Sequence, residues 1–347
     1  MRYYRYPNVT FFLGAAQPYG QLFKNNPNVI CEINRHNNSN KFLDNFDGYD
    51  FAISIGGSLY QAHKIADSLK RDVEFFNRFI VNGKPLFIIG SNFDRNYGNA
   101  PYTEKDFHDL FARGDGLLKV SLRDKHSANF FRDLANVTCA PDVIFGLSDS
   151  FAVPEEARAG LGISVISPTL PGRGGTLKDF HGQYLDGMVA LVRSAISKNI
   201  GVKIFSFCLK EDDAVMAEEI ARNLTAAEST KVQHVTYNGD IENFLKTFAG
   251  MKYIVATRFH ANVLALKFRQ NLFPIVYNDK TLNLLEDLGV FTREDFYDLR
   301  DGNPLDADKV WRSLKKPKDW LAKVTEYARA SNLHFRELDK YLATLSR

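Results

Sequence analysis

In the stretch KYIVATRFHANVLALKF, residues 252–268, an apolar run rich in β-branched residues breaks at Thr257-Arg258-Phe259-His260 and then resumes with helical spacing. An arginine and a histidine two residues apart, between a strand and a helix, describe an anion site with a proton donor. The first-turn amides and the dipole of the helix already favour negative charge. The Arg258 guanidinium adds a planar fork matched to a carboxylate or phosphate, and His260 adds a side chain of the type that can titrate near neutrality. Phe259 sits on the same turn and is counted with the binding residues. The competing reading is local: Arg258 pairs with a structural carboxylate and His260 caps the helix.

Four other stretches put reactive groups at strand ends. In YDFAISIGGSLYQ, Gly56 and Gly57 let backbone amides approach a ligand, although an unliganded tight turn uses the same glycines, and the pattern is neither a Walker loop nor G-x-G-x-x-G. VSLRDKHSANFF places Arg123 and Asp124 past a strand with Ser127 ahead of a helix; the alternative to a binding role is an internal Arg123–Asp124 pair. SPTLPGRGGTLKDFHGQY is a Gly/Pro-rich loop whose Arg173 and His181 are candidates to reach a ligand, or to belong to a mobile cover. VYNDKTLNLLEDLG puts Tyr277 and Lys280 after a strong strand. Cys31, Cys139 and Cys208 lie far apart with no Cys-x-x-Cys pair, so neither a disulfide framework nor a zinc site is suggested, and no carboxylate cluster has metal-ligand spacing. The expectation is no metal and a reducing cytoplasm.

These residues need a scaffold, and the chain alternates short β-rich runs with helical ones throughout, the pattern of parallel sheets flanked by helices. The strands read are VTFFLG, NVICEI, DFAISIG, PLFIIG and LLKVSLR, then GISVIS, VKIFSF, QHVTY, YIVAT and LFPIVY. A helix is predicted through 59–83, ending at Gly83 before Pro85, and another through Leu185, Met188, Val189, Val192 and Ile196, closing at Gly201. With 347 residues, 45% hydrophobic and 24% charged, the chain is long enough for two cores. The expected fold is α/β, two Rossmann-like doubly wound domains facing a cleft, GT-B-like, with ligands at the carboxyl ends of the strands. The domains are drawn at 1–150, 151–308 and a basic helical segment at 309–347, with SDSFAVPEEARAG as linker.

Charge is polarised: residues 309–347 carry ten Lys/Arg against four Asp/Glu, a net +6, while the whole chain is only +3. That tail admits two readings, a terminal helix packed through Trp311, Leu314, Trp320, Leu321 and Val324, or peripheral attraction to an anionic membrane face. No apolar run approaches the roughly 20 residues of a membrane span. VTFFLGAA is read as a first strand and not as a signal segment. Nucleic acid is a poor partner, since no binding motif is present and the aromatics are spread through strands.

The stretches YDFAISIGGSLYQ, GKPLFIIGSNF, SLRDKHSANFF, APDVIF, GISVIS, CLKEDDAVMAEEI, RFHANVLALKFRQNLFPIVY and NDKTLNLLEDLG resemble, in order, the polysaccharide pyruvyl transferase family over about residues 49–290. The resemblance implies a phosphoenolpyruvate donor, no separate cofactor, and a glycan or lipid-linked oligosaccharide acceptor that receives pyruvate as a ketal. It carries the family's Arg-x-His onto Arg258 and His260 as catalytic residues, and its Arg-Asp pair onto Arg123 and Asp124. It assigns the acceptor to the first domain and the donor to the second. The family's usual Asn-x-Gly-Asp near the start is not visible, and GSNFDRN stands where a Gly-Pro turn is common. VISPTLP lacks the arginine that many members carry after that strand, and Arg173 is the nearest substitute. The alternatives are a GT-B-like glycosyltransferase using a nucleotide sugar, or a non-catalytic relative that binds a glycan or anion.

Overall fold

The computed structural model describes residues 10–15, 29–33, 46–57, 66–93, 104–114, 116–170, 177–317 and 319–345. The chain divides into two compact units, Met1–Val143 with Ala330–Arg347, and Ile144–Arg329.

In the first unit, β1 (Phe11–Ala15) pairs in parallel with β2 (Val29–Ile33). Next come β3 (Ala52–Ile55), α1 (Ala66–Val81), β4 (Leu86–Ser91), α2 (Glu104–Arg113), β5 (Leu118–Leu122), α3 (Lys125–Asn129) and β6 (Val137–Cys139). Strands β3 to β6 form one parallel sheet in sequence order. All six residues of β4 are buried, as expected for a strand covered on both faces. Leu86 and Ile88 join a core with Phe79, Leu110, Phe111 and Phe131, while Phe87 and Ile89 point the other way. Gly90 adopts φ +71° where the β4–β5 register shifts. This bulge re-aims Ser91 and Asn92 at the end of the strand.

The second unit runs β7 (Ala159–Ser164), α4 (His181–Ser197), β8 (Val202–Ser206), α5 (Asp213–Arg222), α6 (Ala226–Ser229) and β9 (Val232–Thr236). It continues with α7 (Ile241–Ala249), β10 (Met251–Ala256), α8 (Phe259–Lys267), β11 (Asn271–Val276), α9 (Asp279–Leu288), β12 (Tyr297–Asp298), α10 (Ala307–Leu314) and α11 (Leu321–Ala330). Its six strands are parallel in the order β12-β11-β10-β7-β8-β9. That is the doubly wound Rossmann order, and its switch point lies between β7 and β10. Side chains alternate across the sheet: Ile163, Ile204 and Val255 pack under α4, α5 and α10. Phe205, Ile254 and Ala256 pack against α7, α8, α9 and α11. Local signals fix the helix ends. Thr225 and Glu228 form a capping box on α6, Asp240 caps α7, Asn278 caps α9, and Gly289 closes α9 at φ +67°.

The α/β reading with two Rossmann-like units therefore matches the structure, but its internal boundaries change. The division falls at 143/144, not 150/151, and SDSFAVPEEARAG is no open linker. Phe151 and Val153 pack on the second core, and the Arg158 guanidinium donates to the Val153 and Arg269 carbonyls. The basic segment 309–347 is not one body. Trp311, Leu314, Trp320 and Val324 are buried in the second unit, with Leu321 left 38% exposed, so its apolar face is already packed. β6 and β12 had no sequence signal because three and two residues are too short to show a period. Among the described residues no helix is long and apolar enough to cross a membrane.

The chain then returns to the first unit, where α12 (Arg336–Leu345) lays Leu338 and Leu342 on Phe87 and Ile89. His334, 4% exposed, anchors this return. Its Nε2 lies 2.8 Å from the Pro141 carbonyl and its Nδ1 2.6 Å from the Ser121 hydroxyl. A carbonyl can only accept, so the neutral ring carries its proton on Nε2 and accepts from Ser121 at Nδ1.

Burial pushes the His334 imidazole below its ordinary 6.5, a shift that the Pro141 bond and Asp142 oppose in part and Arg123 reinforces. The unfolded chain thus gains a proton near pH 6.5 that the folded chain still refuses. The stability from neutral His334 is complete above that pH and declines as pH falls toward the depressed folded value. Urea midpoints followed by far-ultraviolet circular dichroism between pH 7.5 and 5 should fall more steeply in the wild type than in His334→Asn.

Candidate functional site

The carboxyl ends of β7, β8, β10 and β11 meet around the switch point, and side chains at these ends assemble into one network. β10 is buried through Ile254, Val255 and Ala256, so the first polar group beyond it must find a partner. Thr257, with no exposed surface, bonds the Tyr184 hydroxyl of α4 at 2.8 Å. That hydroxyl also accepts from the Ile166 amide, and burial raises its pKa so that it remains protonated. Arg258 then turns the chain with φ −66° and ψ 136° as the N-cap of α8. Its amide donates to the Ser164 hydroxyl, and the Asn262 amide nitrogen clamps the turn through the Ala256 and Arg258 carbonyls, at 3.0 Å each.

The Arg258 side chain is 9% exposed and is held by two carboxylates. Nε donates to Asp213 Oδ2 at 2.9 Å, Nη2 donates to Asp213 Oδ1, and Nη1 donates to Glu211. Asp213 is fully buried at the start of α5, and its Oδ2 also accepts from the amides of Phe207 and Cys208 at 3.0 and 2.9 Å. Desolvation works against the Arg258 charge, but the bonds and charge of Asp213 outweigh it and hold the guanidinium above its ordinary pKa. His260 is exposed two residues along, with Phe259 edge-on to it. An anchored cation beside an exposed imidazole at a helix start can orient an anion and exchange a proton with it.

His260 follows Arg258 on the first turn of α8, Tyr277 lies just past the end of β11, and Lys280, half-buried, is on the first turn of α9. Phe259 is 9% exposed and packs among the buried residues of the second core. Arg173 lies outside the described residues. His181 opens α4 with Nε2 3.0 Å from Glu219. Asp213 and Glu211 are the partners that sequence reasoning missed. The acidic run Glu211-Asp212-Asp213 was visible, but nothing in it showed which carboxylates fold back onto Arg258.

Gly56, Gly57 and Arg123 belong to the first unit. The Gly56 amide donates to the Ile89 carbonyl at 3.3 Å, so it completes the sheet ladder and is not offered to a ligand. The two glycine carbonyls accept from the Ser91 hydroxyl and the Asn92 amide. Arg123 is buried and pairs with Asp142 at 3.1 Å and Asn92 Oδ1 at 2.8 Å. The alternative Arg123–Asp124 pair is replaced by a different division of labour. Asp124 caps α3, accepting from the Ser127 amide at 2.6 Å.

The polysaccharide pyruvyl transferase family model matches residues 3–279. A sequence search of the curated proteins finds no match. Among solved structures, a Listeria monocytogenes protein assigned as a UDP-N-acetylglucosamine 2-epimerase is similar at 9% identity and TM-score 0.54, covering 86% of this chain and 76% of its own. A trehalose-6-phosphate synthase is similar at 11% identity and TM-score 0.50, covering 88% and 76%. At these identities the likeness speaks to the fold alone, a GT-B-like pair of Rossmann-like units.

Replacing Asp213 by Asn removes the charge that neutralises a buried guanidinium, a change that costs about 3–5 kcal/mol when one partner of a buried pair is lost. Both tryptophans, Trp311 and Trp320, lie in the second unit, so their fluorescence reports its unfolding. Asp213→Asn should lower the urea midpoint of that signal sharply, whereas Asp124→Asn in the first unit should leave it in place.

Proposed function

The chain belongs to the polysaccharide pyruvyl transferase family, and on that premise we propose that it transfers the pyruvyl group of phosphoenolpyruvate to a sugar of a surface polysaccharide or its lipid-linked precursor. The product is a pyruvate ketal. The observation that carries this reading is Arg258 anchored by buried Asp213 at the switch point, with exposed His260 two residues further on. Phosphoenolpyruvate presents a carboxylate and a phosphate close together, and charge-assisted bonds from a fixed guanidinium and helix amides suit both.

The reaction runs as an addition followed by an exchange. A proton is added to the methylene carbon of the enol, and a sugar hydroxyl attacks the resulting electron-poor carbon and gives up its proton. Phosphate then leaves with the C–O bond pair, and a second hydroxyl adds to the carbon it vacates and gives up its proton, closing the ketal. His260, made more basic by the bound dianion, supplies or relays the first proton. Arg258 holds the donor and stabilises the departing phosphate. Tyr277 and Lys280 line the donor side in the second unit, and Arg123 serves the acceptor side in the first. No cofactor enters this scheme. The likenesses at 9% and 11% identity do not favour a nucleotide-sugar donor.

The test is phosphate release from phosphoenolpyruvate in the presence of a surface-glycan preparation, with donor affinity measured separately by calorimetry. His260→Ala should lower turnover by about 10²–10⁴-fold while leaving donor affinity nearly unchanged. Arg258→Ala should weaken donor binding by about tenfold or more. Equal and small losses from both substitutions would contradict these roles.

A further inference from the structure

Two carboxylates hold Arg258, and they are not equivalent. Asp213 grips Nε and Nη2 through both oxygens and is itself pinned by two backbone amides. Glu211 accepts from Nη1 at the end of the single 3-10 turn Leu209–Glu211, and its side chain is 41% exposed. Asp212 joins them at φ 56°, a left-handed conformation that carries a cost for any residue with a side chain and that clusters at functional sites. Leu209 and Val215, 52% and 44% exposed, flank the acidic run and mark this stretch as surface. One edge of the guanidinium is therefore fixed in the interior, and the other is covered by a carboxylate on a surface turn.

A ligand that reaches Arg258 must take the edge that Asp213 does not hold. We propose that Glu211 is a resident carboxylate that covers this edge between turnovers and yields it to the carboxylate or phosphate of the incoming donor. The proposal rests on the phosphoenolpyruvate reading given above. Replacing one anion by another keeps the buried cation neutralised throughout, so binding never leaves it unpaired. The donor must displace Glu211 from Nη1 to reach that edge, and this competition opposes tight binding and favours release of phosphate. Glu211 is thus a positioning and gating residue, and removing its contact should raise donor affinity.

Calorimetric titration of phosphoenolpyruvate into wild type, Glu211→Gln and Glu211→Asp tests this. Glu211→Gln should bind about tenfold more tightly than wild type. Glu211→Asp keeps the charge but is one methylene short of Nη1, so it should gain most of the same tightening. In an Arg258→Ala background, checked for folding by tryptophan fluorescence, Glu211→Gln should change nothing. Wild-type affinity that is unchanged or weakened in Glu211→Gln would overturn the proposal. So would a Glu211→Asp protein that behaves as wild type, because the effect would then be long-range charge and not displacement. Separate titrations with inorganic phosphate and pyruvate identify which anionic group takes the position, as the one whose affinity rises in Glu211→Gln. If neither wild type nor any variant binds phosphoenolpyruvate, the donor reading itself fails, and displacement fails with it.

Discussion

A guanidinium taken into a protein interior must meet an anion there, because the desolvation cost of an unpaired charge exceeds the stability of a domain. Arg258, 8% exposed, sets this condition for the second unit. Its counter-charge, Asp213, comes from the turn after β8, so that turn and the one after β10 must close over the end of β7. The strand order supplies this directly, since β8 and β10 flank β7. The residues ending β7 and β8 are small: Ser164 accepts the Arg258 amide, and Ser206 is 1% exposed. The ion pair and the sheet topology therefore depend on each other, and the exposed His260 inherits its position from both.

The first unit meets the same condition with different parts. Arg123 leaves the end of β5 and is met by Asp142 from beyond β6 and by Asn92 from the bulged end of β4. The C-terminal return contributes from behind, where His334 bonds the Pro141 carbonyl next to Asp142 and the hydroxyl of Ser121 on β5. A segment 193 residues beyond Pro141 and 213 beyond Ser121 thus braces the backbone that orients Arg123. In each unit the arginine is made rigid by neighbours whose sequence positions lie far from it.

Much of this was legible in the sequence where the signal is local. Long apolar runs located ten strands, and the helix through Leu185 and Ile196 appears as α4. The break at Thr257 correctly located a strand-to-helix turn bearing Arg258 and His260. What could not be read was pairing across distance. Arg123 was set against its neighbour Asp124, yet Asp124 caps a helix and Asp142 takes the charge. Phe259 shares the turn of Arg258 and His260, but a helix turns by about 100° per residue, and that rotation carries its ring into the core. The basic tail looked continuous by composition, whereas its buried residues divide it between two units.

The central claim is that this anchored arginine and its neighbouring histidine form a site for phosphoenolpyruvate. Thermal unfolding followed by tryptophan fluorescence, with phosphoenolpyruvate and with a nucleotide sugar in parallel, tests it most directly. A ligand specific for the folded state at a hundred times its Kd adds about 2.7 kcal/mol. The account predicts a raised midpoint with phosphoenolpyruvate and none with the nucleotide sugar. A rise with the nucleotide sugar alone would contradict it.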